Sequence, residues 1–139
     1  LNEGAHEFLA YLNDNGIDFG ILTYGSLEWQ QEKIRVSGLD NVPAIIIPNK
    51  GKGDLIRTWY QKETNMVKVP VAFGAGSYRR LILIDDKAVE LTGLPHEATG
   101  ILYRPTDAVL PSQAGETHGD NIHTVRSFHE AVEYVSSSL

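Results

Sequence analysis

The sequence predicts an α/β domain with a mostly parallel, Rossmann-like sheet flanked by helices. Helical and strand-like segments alternate along the chain, which is the order expected when right-handed helical crossovers join parallel strands. In addition, residues 81–84 read Leu-Ile-Leu-Ile and are apolar at every position. Such a run is typical of a strand that is buried on both faces of a parallel sheet.

The amino-terminal half supplies two predicted helices and two predicted strands. A helix is expected at 2–15, where Gly16 ends an apolar stripe at helical spacing that comprises Ala5, Phe8, Leu9 and Leu12. Residues 18–23 predict a short buried strand, and residues 27–37 predict a second helix. The apolar segment 44–47 contains three consecutive isoleucines between two prolines and predicts the next strand.

The elements that follow are shorter and carry more turn residues. Residues 53–61 predict a helix, and Asp54 near its start suits the helix dipole. Residues 67–73 predict an edge strand or an extended loop, because Pro70 cannot donate a hydrogen bond to a sheet ladder. Beyond the strand at 81–84, the predicted elements are a helical turn at 87–91, a strand at 100–103 and a final helix at about 122–135.

Composition restricts the classes of function. The 139 residues fit a single domain spanning 1–139, and 42% of them are hydrophobic. A net charge of −6 argues against a nucleic-acid-binding surface, and the absence of cysteine excludes disulfides and thiolate metal sites. Because no apolar stretch approaches the length of a membrane helix, we expect a cytoplasmic protein without a membrane partner.

Two adjacent carboxylates, Asp85 and Asp86, follow the apolar run directly. The carboxyl ends of strands in an open α/β sheet border the crevice where ligands bind. Two neighbouring negative charges are costly to desolvate without a compensating cation, and carboxylate oxygens are ligands that Mg²⁺ accepts. The pair therefore predicts a metal site, although the same residues can simply cap the next helix.

Three features occur in an order that resembles the haloacid dehalogenase-like (HAD) superfamily, whose members are mostly phosphatases and phosphotransferases. They are Ile21-Leu22-Thr23 at a strand end, Lys52 before a helix, and Leu83-Ile84-Asp85-Asp86. The segment Gly4-Ala5-His6-Glu7-Phe8-Leu9 also resembles the family's usual approach to its threonine strand. The resemblance covers about residues 1–104. The segment between Thr23 and Lys52 holds only one predicted helix and one predicted strand, which leaves no room for a large cap module.

The resemblance implies a phosphate-binding role for Thr23, Tyr24, Gly25 and Lys52. A hydroxyl and backbone N–H groups near a helix N-terminus can hold phosphate oxygens, and an ammonium group can balance their charge. Lys50 is an alternative for the lysine. We favour Lys52, because the predicted helix begins directly after it.

The resemblance also implies a Mg²⁺-dependent phosphohydrolase that acts on a small-molecule phosphate ester or another phosphorylated substrate. Asp85 and Asp86 would hold the metal, which screens the charges of the phosphate and the attacking carboxylate. In this family the nucleophile is the first Asp of an Asp-x-Asp motif at the end of the first strand, and it forms an aspartyl-phosphate. This motif is absent here, so we expect the chain as given to be inactive.

The first strand of the family is central, between the threonine strand and the Asp-Asp strand. Without it, both neighbours have unpaired N–H and C=O groups. Either residues 67–73 fill the gap or the sequence is incomplete. The sequence starts at Leu1 and has Met66 as its one methionine, so we expect the first strand to lie upstream.

Other interpretations remain open. A non-catalytic HAD-like binding or interaction domain fits the missing nucleophile. A receiver-like phospho-acceptor domain also uses paired acids and a lysine, but in the opposite order along the chain. His118 and His123 fit no strong metal signature. The loop at 111–115 is placed at the mouth of the active site by its position in the sequence alone.

Overall fold

The computed structural model describes residues 4–39, 42–47, 50–104 and 120–138. Across these residues the chain forms five α-helices and eight strands. The helices are α1 (Ala5–Asp14), α2 (Leu27–Val36), α3 (Lys52–Arg57), α4 (Ala88–Leu91) and α5 (Phe128–Ser138). The strands are β1 (Ile21–Tyr24), β2 (Ala44–Ile47), β3 (Tyr60–Gln61), β4 (Met66–Lys68), β5 (Ser77–Tyr78), β6 (Leu81–Asp85), β7 (Ala98–Tyr103) and β8 (Ile122–Val125).

The core is built on a parallel three-stranded sheet with the order β6-β7-β8. Successive side chains of a strand point to opposite faces, so β7 contributes to two hydrophobic clusters. Ile101 and Tyr103 pack with residues of α1 and α5 on one face. Leu102 packs with residues of α3 and α4 on the other face. The chain is therefore an α/β protein whose parallel strands are flanked by helices on both faces, as predicted.

The described strands do not form one continuous sheet. The pair β1-β2 is a separate parallel sheet, in which Thr23 lies opposite Ile46. A third sheet, β3-β4-β5, is antiparallel. The predicted single, mostly parallel sheet is thus divided, and the division falls between β1 and β6.

Residues 67–73 do not fill this gap. Of this segment only the part within Met66–Lys68 is a strand, and it pairs with β3 and β5. Pro70 follows, and Val71–Phe73 form a 3₁₀ turn. The interruption has the expected cause, because proline lacks the N–H that a ladder requires.

The prediction of a helix at 122–135 is wrong for its first residues. Ile122–Val125 form β8, which pairs in parallel with β7, and the helix begins only at Phe128. Three of the four residues of β8 are β-branched, which favours a strand when a neighbouring edge is available. The pairing with β7 is a long-range contact that local helical periodicity does not reveal.

No helix in the described part of the chain has both the length and the apolar character needed to cross a membrane.

Candidate functional site

Lys52 is placed by two glycines at the start of α3. Gly51 precedes the helix with a φ of 117°, a backbone conformation that favours glycine. Gly53 allows α3 to approach the segment after α4, since a Cβ atom there would lie 2.3 Å from the carbonyl oxygen of Thr92. This close approach fixes the first turn of α3 against the segment that follows α4.

Lys52 forms an ion pair with Asp85, the last residue of β6. The lysine and aspartate side chains are only 13% and 6% exposed. The Asp85 Oδ1 atom also accepts a hydrogen bond of 2.9 Å from the backbone N–H of Lys87. Asp86, which follows the end of β6, is exposed. The predicted acidic pair is therefore one buried carboxylate and one exposed carboxylate.

The structure distinguishes the two candidate lysines. Lys50 is exposed, whereas the ammonium group of Lys52 contacts Asp85. Lys52 is thus the lysine that the fold brings to the acidic pair.

Sequence reasoning missed Glu90. This residue of α4 is 2% exposed, and its Oε2 atom accepts hydrogen bonds from the backbone N–H groups of Gly51 at 2.9 Å and Lys52 at 3.3 Å. Its carboxylate thereby satisfies the N–H groups at the start of α3. Lys52 thus contacts two buried carboxylates, that of Asp85 through its ammonium group and that of Glu90 through its backbone N–H. The available signal was the position of Glu90 between two apolar residues, Val89 and Leu91, in a short helix.

Thr23 lies in β1, and its side chain contacts α2. Its Oγ1 atom donates a hydrogen bond of 3.0 Å to the Oε1 atom of Gln30. Gly25 follows with a φ of 146°, and a Cβ atom there would lie 2.4 Å from the side-chain nitrogen of Gln30. The turn after β1 is therefore packed tightly against the first part of α2.

The other groups of this turn differ in whether they can bind a ligand. The Gly25 N–H donates a hydrogen bond of 3.1 Å to the carbonyl oxygen of Ile47 at the end of β2, so it extends the β1-β2 ladder rather than facing a ligand. Tyr24 is 36% exposed. Ser26 precedes α2 without a side-chain capping hydrogen bond, which leaves the first N–H groups of α2 uncapped by that residue.

The two groups of predicted site residues both follow parallel strands of the α/β fold. Among the hydrogen bonds and ion pairs of the described residues, none joins Thr23 to the pair formed by Lys52 and Asp85. The described residues also contain no group of three or more His, Asp or Glu side chains arranged to hold a metal ion. The structure therefore gives two separate groups of candidate residues, one near the end of β1 and one at the end of β6.

The structure gives little support to a metal role for His118 and His123 or to an active-site role for the loop at 111–115. His123 lies on β8, where its ring stacks on Tyr134 with a centroid separation of 4.4 Å. His118 and the loop at 111–115 lie outside the described residues. His123 thus has a packing role that needs no metal.

Comparison with known proteins does not assign this chain to a family. No protein-family model, no curated protein and no solved structure matches this sequence. The chemistry of the site accordingly rests on the residues described above.

Proposed function

We propose that this domain is part of a Mg²⁺-dependent phosphohydrolase of the HAD type, with the nucleophilic aspartate supplied by a segment outside this sequence. The observation that carries the proposal is the buried ion pair between Lys52 and Asp85 at the carboxyl end of β6. Its place at the carboxyl end of a parallel strand is where open α/β sheets bind ligands. The substrate class is a phosphate ester.

Each residue has a defined part in binding the phosphoryl group. The Lys52 ammonium group supplies positive charge to the phosphate oxygens, and Asp85 keeps that group oriented. The Thr23 hydroxyl turns from Gln30 to a phosphate oxygen, and the first N–H groups of α2 provide further donors. Glu90 holds the backbone from which Lys52 projects.

The carboxylates of Asp85 and Asp86 are ligands of the type that Mg²⁺ binds, but there are only two of them. Asp85 and Asp86 are hard oxygen ligands, and each carboxylate oxygen can accept more than one contact. Mg²⁺ commonly takes one or two carboxylates and completes its shell with waters and substrate phosphate. When bound, the metal would screen charge between the phosphate and an attacking carboxylate.

Phosphate binding tests the proposal without requiring turnover. Calorimetric titration of the chain with inorganic phosphate in the presence of Mg²⁺ is expected to give saturable binding. Lys52→Met is expected to weaken this binding by roughly tenfold or more, because a buried charge-assisted contact is lost. Lys50→Met is the matched control, since it removes the same charge two residues away, and it should bind as the original chain does.

The metal assignment has its own test. Asp85→Asn and Asp86→Asn are each expected to reduce the Mg²⁺ dependence of phosphate binding, because each removes a carboxylate ligand. Phosphate binding that is insensitive to Mg²⁺ in the original chain would contradict the metal role. Phosphate binding that is equal in the Lys50 and Lys52 variants would contradict the lysine role.

A non-catalytic binding domain is the second candidate, and one observation favours it. Both carboxylate oxygens of Asp85 already have partners, namely the Lys52 ammonium group and the Lys87 N–H. The negative charge of Asp85 is therefore already balanced within the protein. Hydrolysis of an aryl phosphate by a polypeptide that contains the proposed nucleophile supports the enzyme, whereas phosphate binding without hydrolysis supports the second candidate.

A further inference from the structure

The loop between β4 and β5 exposes apolar side chains. Residues 70–76 read Pro-Val-Ala-Phe-Gly-Ala-Gly, so no side chain of this apolar loop carries a polar group. Val71 is 85% exposed, the highest value among the large apolar side chains of the described residues, and both alanines of the loop are exposed as well. Phe73 packs inward instead, with its ring centroid 6.2 Å from that of Trp59. The loop therefore presents an aliphatic tip to the solvent.

The backbone of the apolar loop is hydrogen-bonded in large part within the loop itself. Three of its N–H groups donate to carbonyl oxygens of the same loop at 2.9, 2.9 and 3.1 Å, namely those of Phe73, Gly74 and Ala75. Pro70 has no N–H group to satisfy. The Val69 N–H closes the base of the loop by donating to the Gly76 carbonyl oxygen at 3.0 Å. Because these groups already have partners, removing water from the loop costs less free energy.

Three cations flank the apolar loop in the β4-β5 hairpin, which spans residues 66–80. Lys68 precedes the loop on β4, and Arg79 and Arg80 follow β5. All three are exposed, and none forms an ion pair within the described part of the chain. Asp18 accepts a hydrogen bond from the hairpin, so one acidic group lies nearby. The hairpin itself has no acidic residue, although the whole chain has a net charge of −6.

The β4-β5 hairpin lies at the amino ends of β1 and β6. A Cβ atom at Gly20, which precedes β1, would lie 2.8 Å from the ring of Phe73. The segment after β5 leads directly into β6. Thr23 and Asp85 of the proposed phosphate site lie near the opposite, carboxyl ends of the same two strands. A partner bound at the hairpin therefore does not cover the proposed site.

An aliphatic tip beside exposed cations fits the surface of an anionic membrane. Apolar side chains enter the boundary between headgroups and acyl chains, and lysine and arginine contact the anionic headgroups. A single-stranded nucleic acid fits less well, because its recognition uses exposed aromatic rings on which bases stack. The aromatic ring of the apolar loop, that of Phe73, is packed inward.

We infer that the β4-β5 hairpin docks this domain on an anionic lipid surface, with Val71 inserted and the three cations at the headgroups. A contact of this kind is peripheral and needs no membrane-spanning helix, which was the criterion for expecting no membrane partner. The inference uses none of the residues of the proposed phosphate site, so it stands apart from the proposed function.

Sedimentation of the chain with lipid vesicles tests the partner. We expect binding to vesicles of equal parts phosphatidylserine and phosphatidylcholine, and binding at least roughly tenfold weaker to phosphatidylcholine alone. Binding should weaken as salt is raised, because salt screens the exposed cations. Lys68→Gln is expected to weaken binding to the anionic vesicles by roughly fivefold. Lys50→Gln removes the same charge at another exposed position and should leave binding unchanged.

Insertion of the tip has a direct optical test. The chain has no cysteine, so Val71→Cys accepts an environment-sensitive fluorophore at a single position. We expect its emission to shift to shorter wavelength when the anionic vesicles are added, because the fluorophore leaves water. Val89→Cys is the matched control, since this valine is 55% exposed on α4, beyond the carboxyl end of β6. Its label should show no shift.

Val71→Asp should weaken vesicle binding by roughly tenfold or more, because a charged side chain replaces an inserted valine. Its far-ultraviolet circular dichroism should match that of the original chain, since the side chain is exposed. Val89→Asp is the control and should bind as the original chain does.

Four results would overturn the inference. One is the absence of binding to anionic vesicles, and another is equal binding of Val71→Asp and Val89→Asp. The third is binding to a single-stranded thymidine oligonucleotide that is tighter than to vesicles and depends on Lys68 but not on Val71, which assigns the cations to nucleic acid. The fourth is a dimer that Val71→Asp abolishes and that does not bind vesicles, which assigns the tip to a second copy.

Discussion

Two buried carboxylates, those of Asp85 and Glu90, have their partners at the start of α3. Taking two carboxylates and one ammonium group out of water is costly unless each group has a close partner. Asp85 has the lysine and the Lys87 N–H, whereas Glu90 has the two backbone N–H groups at the start of α3. Each carboxylate thus has its own partners, and removal of the Lys52 side chain leaves Asp85 without its cation.

Lys52→Met is expected to destabilise the domain by about 3–5 kcal/mol, because it leaves the buried Asp85 carboxylate unpaired. Urea unfolding followed by circular dichroism measures the change, and the exposed Lys50→Met variant is the control. The double variant Lys52→Met with Asp85→Leu is expected to regain much of the loss, since apolar groups replace the whole pair. Equal unfolding midpoints for the two lysine variants would show that the pair contributes nothing.

Glu90 gives a second prediction for a single residue. Glu90→Ala removes the acceptor for two partly buried backbone N–H groups and should cost about 1–3 kcal/mol. Glu90→Gln keeps an acceptor oxygen and should cost less. Urea unfolding of both variants checks the order, with Glu63→Gln on the exposed surface as the control. A Glu90→Gln variant less stable than Glu90→Ala would contradict the capping role.

At the scale of elements, the close approach of α3 to the segment after α4 depends on Gly53. Alanine normally stabilises a helix interior by about 1 kcal/mol relative to glycine. Here its Cβ would lie 2.3 Å from a backbone carbonyl oxygen that cannot move freely. We expect the contact to dominate, with a net loss of roughly 1–3 kcal/mol for Gly53→Ala.

Thermal unfolding of Gly53→Ala measures this loss. Ser136→Ala, at an exposed position of α5, serves as the control, because it changes helix propensity without a new contact. It should leave the stability unchanged or raise it slightly. A Gly53→Ala protein as stable as the original would mean that α3 can shift away without cost.

The small antiparallel sheet is connected to the segment before β1 by Tyr78, whose hydroxyl donates a hydrogen bond of 2.7 Å to Asp18. This bond to a carboxylate raises the pKa of the Tyr78 phenol above its ordinary value of 10.0. The contribution to stability is therefore complete below the unfolded pKa and is lost as the pH rises through the folded pKa. The stability difference between the original chain and Tyr78→Phe should be constant from about pH 8 to 9 and shrink above about pH 10.

Urea unfolding of both proteins across this pH range measures the difference. A difference that grows as the pH rises would contradict the direction of the shift. A difference that is absent at all pH values would show that this exposed hydrogen bond does not contribute to stability.

For the whole molecule, burial is unequal between the two parallel sheets. β7 is buried at five of its six residues, whereas β1 and β2 have no fully buried residue. A two-stranded sheet is marginally stable by itself. We therefore expect native-state hydrogen exchange to show lower protection for the amides of β1 and β2 than for those of β7. Equal protection would show that all strands unfold as one cooperative unit.

The sequence singled out Lys52 and Asp85, which form an ion pair, but not Glu90. Asp85 was predicted from its position at the end of an apolar strand, whereas Lys52 was predicted from the family resemblance and preferred over Lys50 because a helix begins after it. Glu90 was missed because its partners are backbone N–H groups that lie 38 and 39 positions earlier in the chain. Asp86 was treated as equivalent to Asp85, since local sequence does not show which of two adjacent carboxylates faces the interior.

The sequence by itself determined the α/β class, the sites of most helices and strands, and the position of the acidic pair after β6. These properties follow from hydrophobic periodicity and from residues such as Pro70 that restrict the backbone locally. The tertiary structure decided that β8 is a strand, that Lys52 rather than Lys50 meets Asp85, and that the sheet is divided between β1 and β6. Each of these depends on contacts between distant residues, and the free energy of such contacts is absent from any local window of sequence.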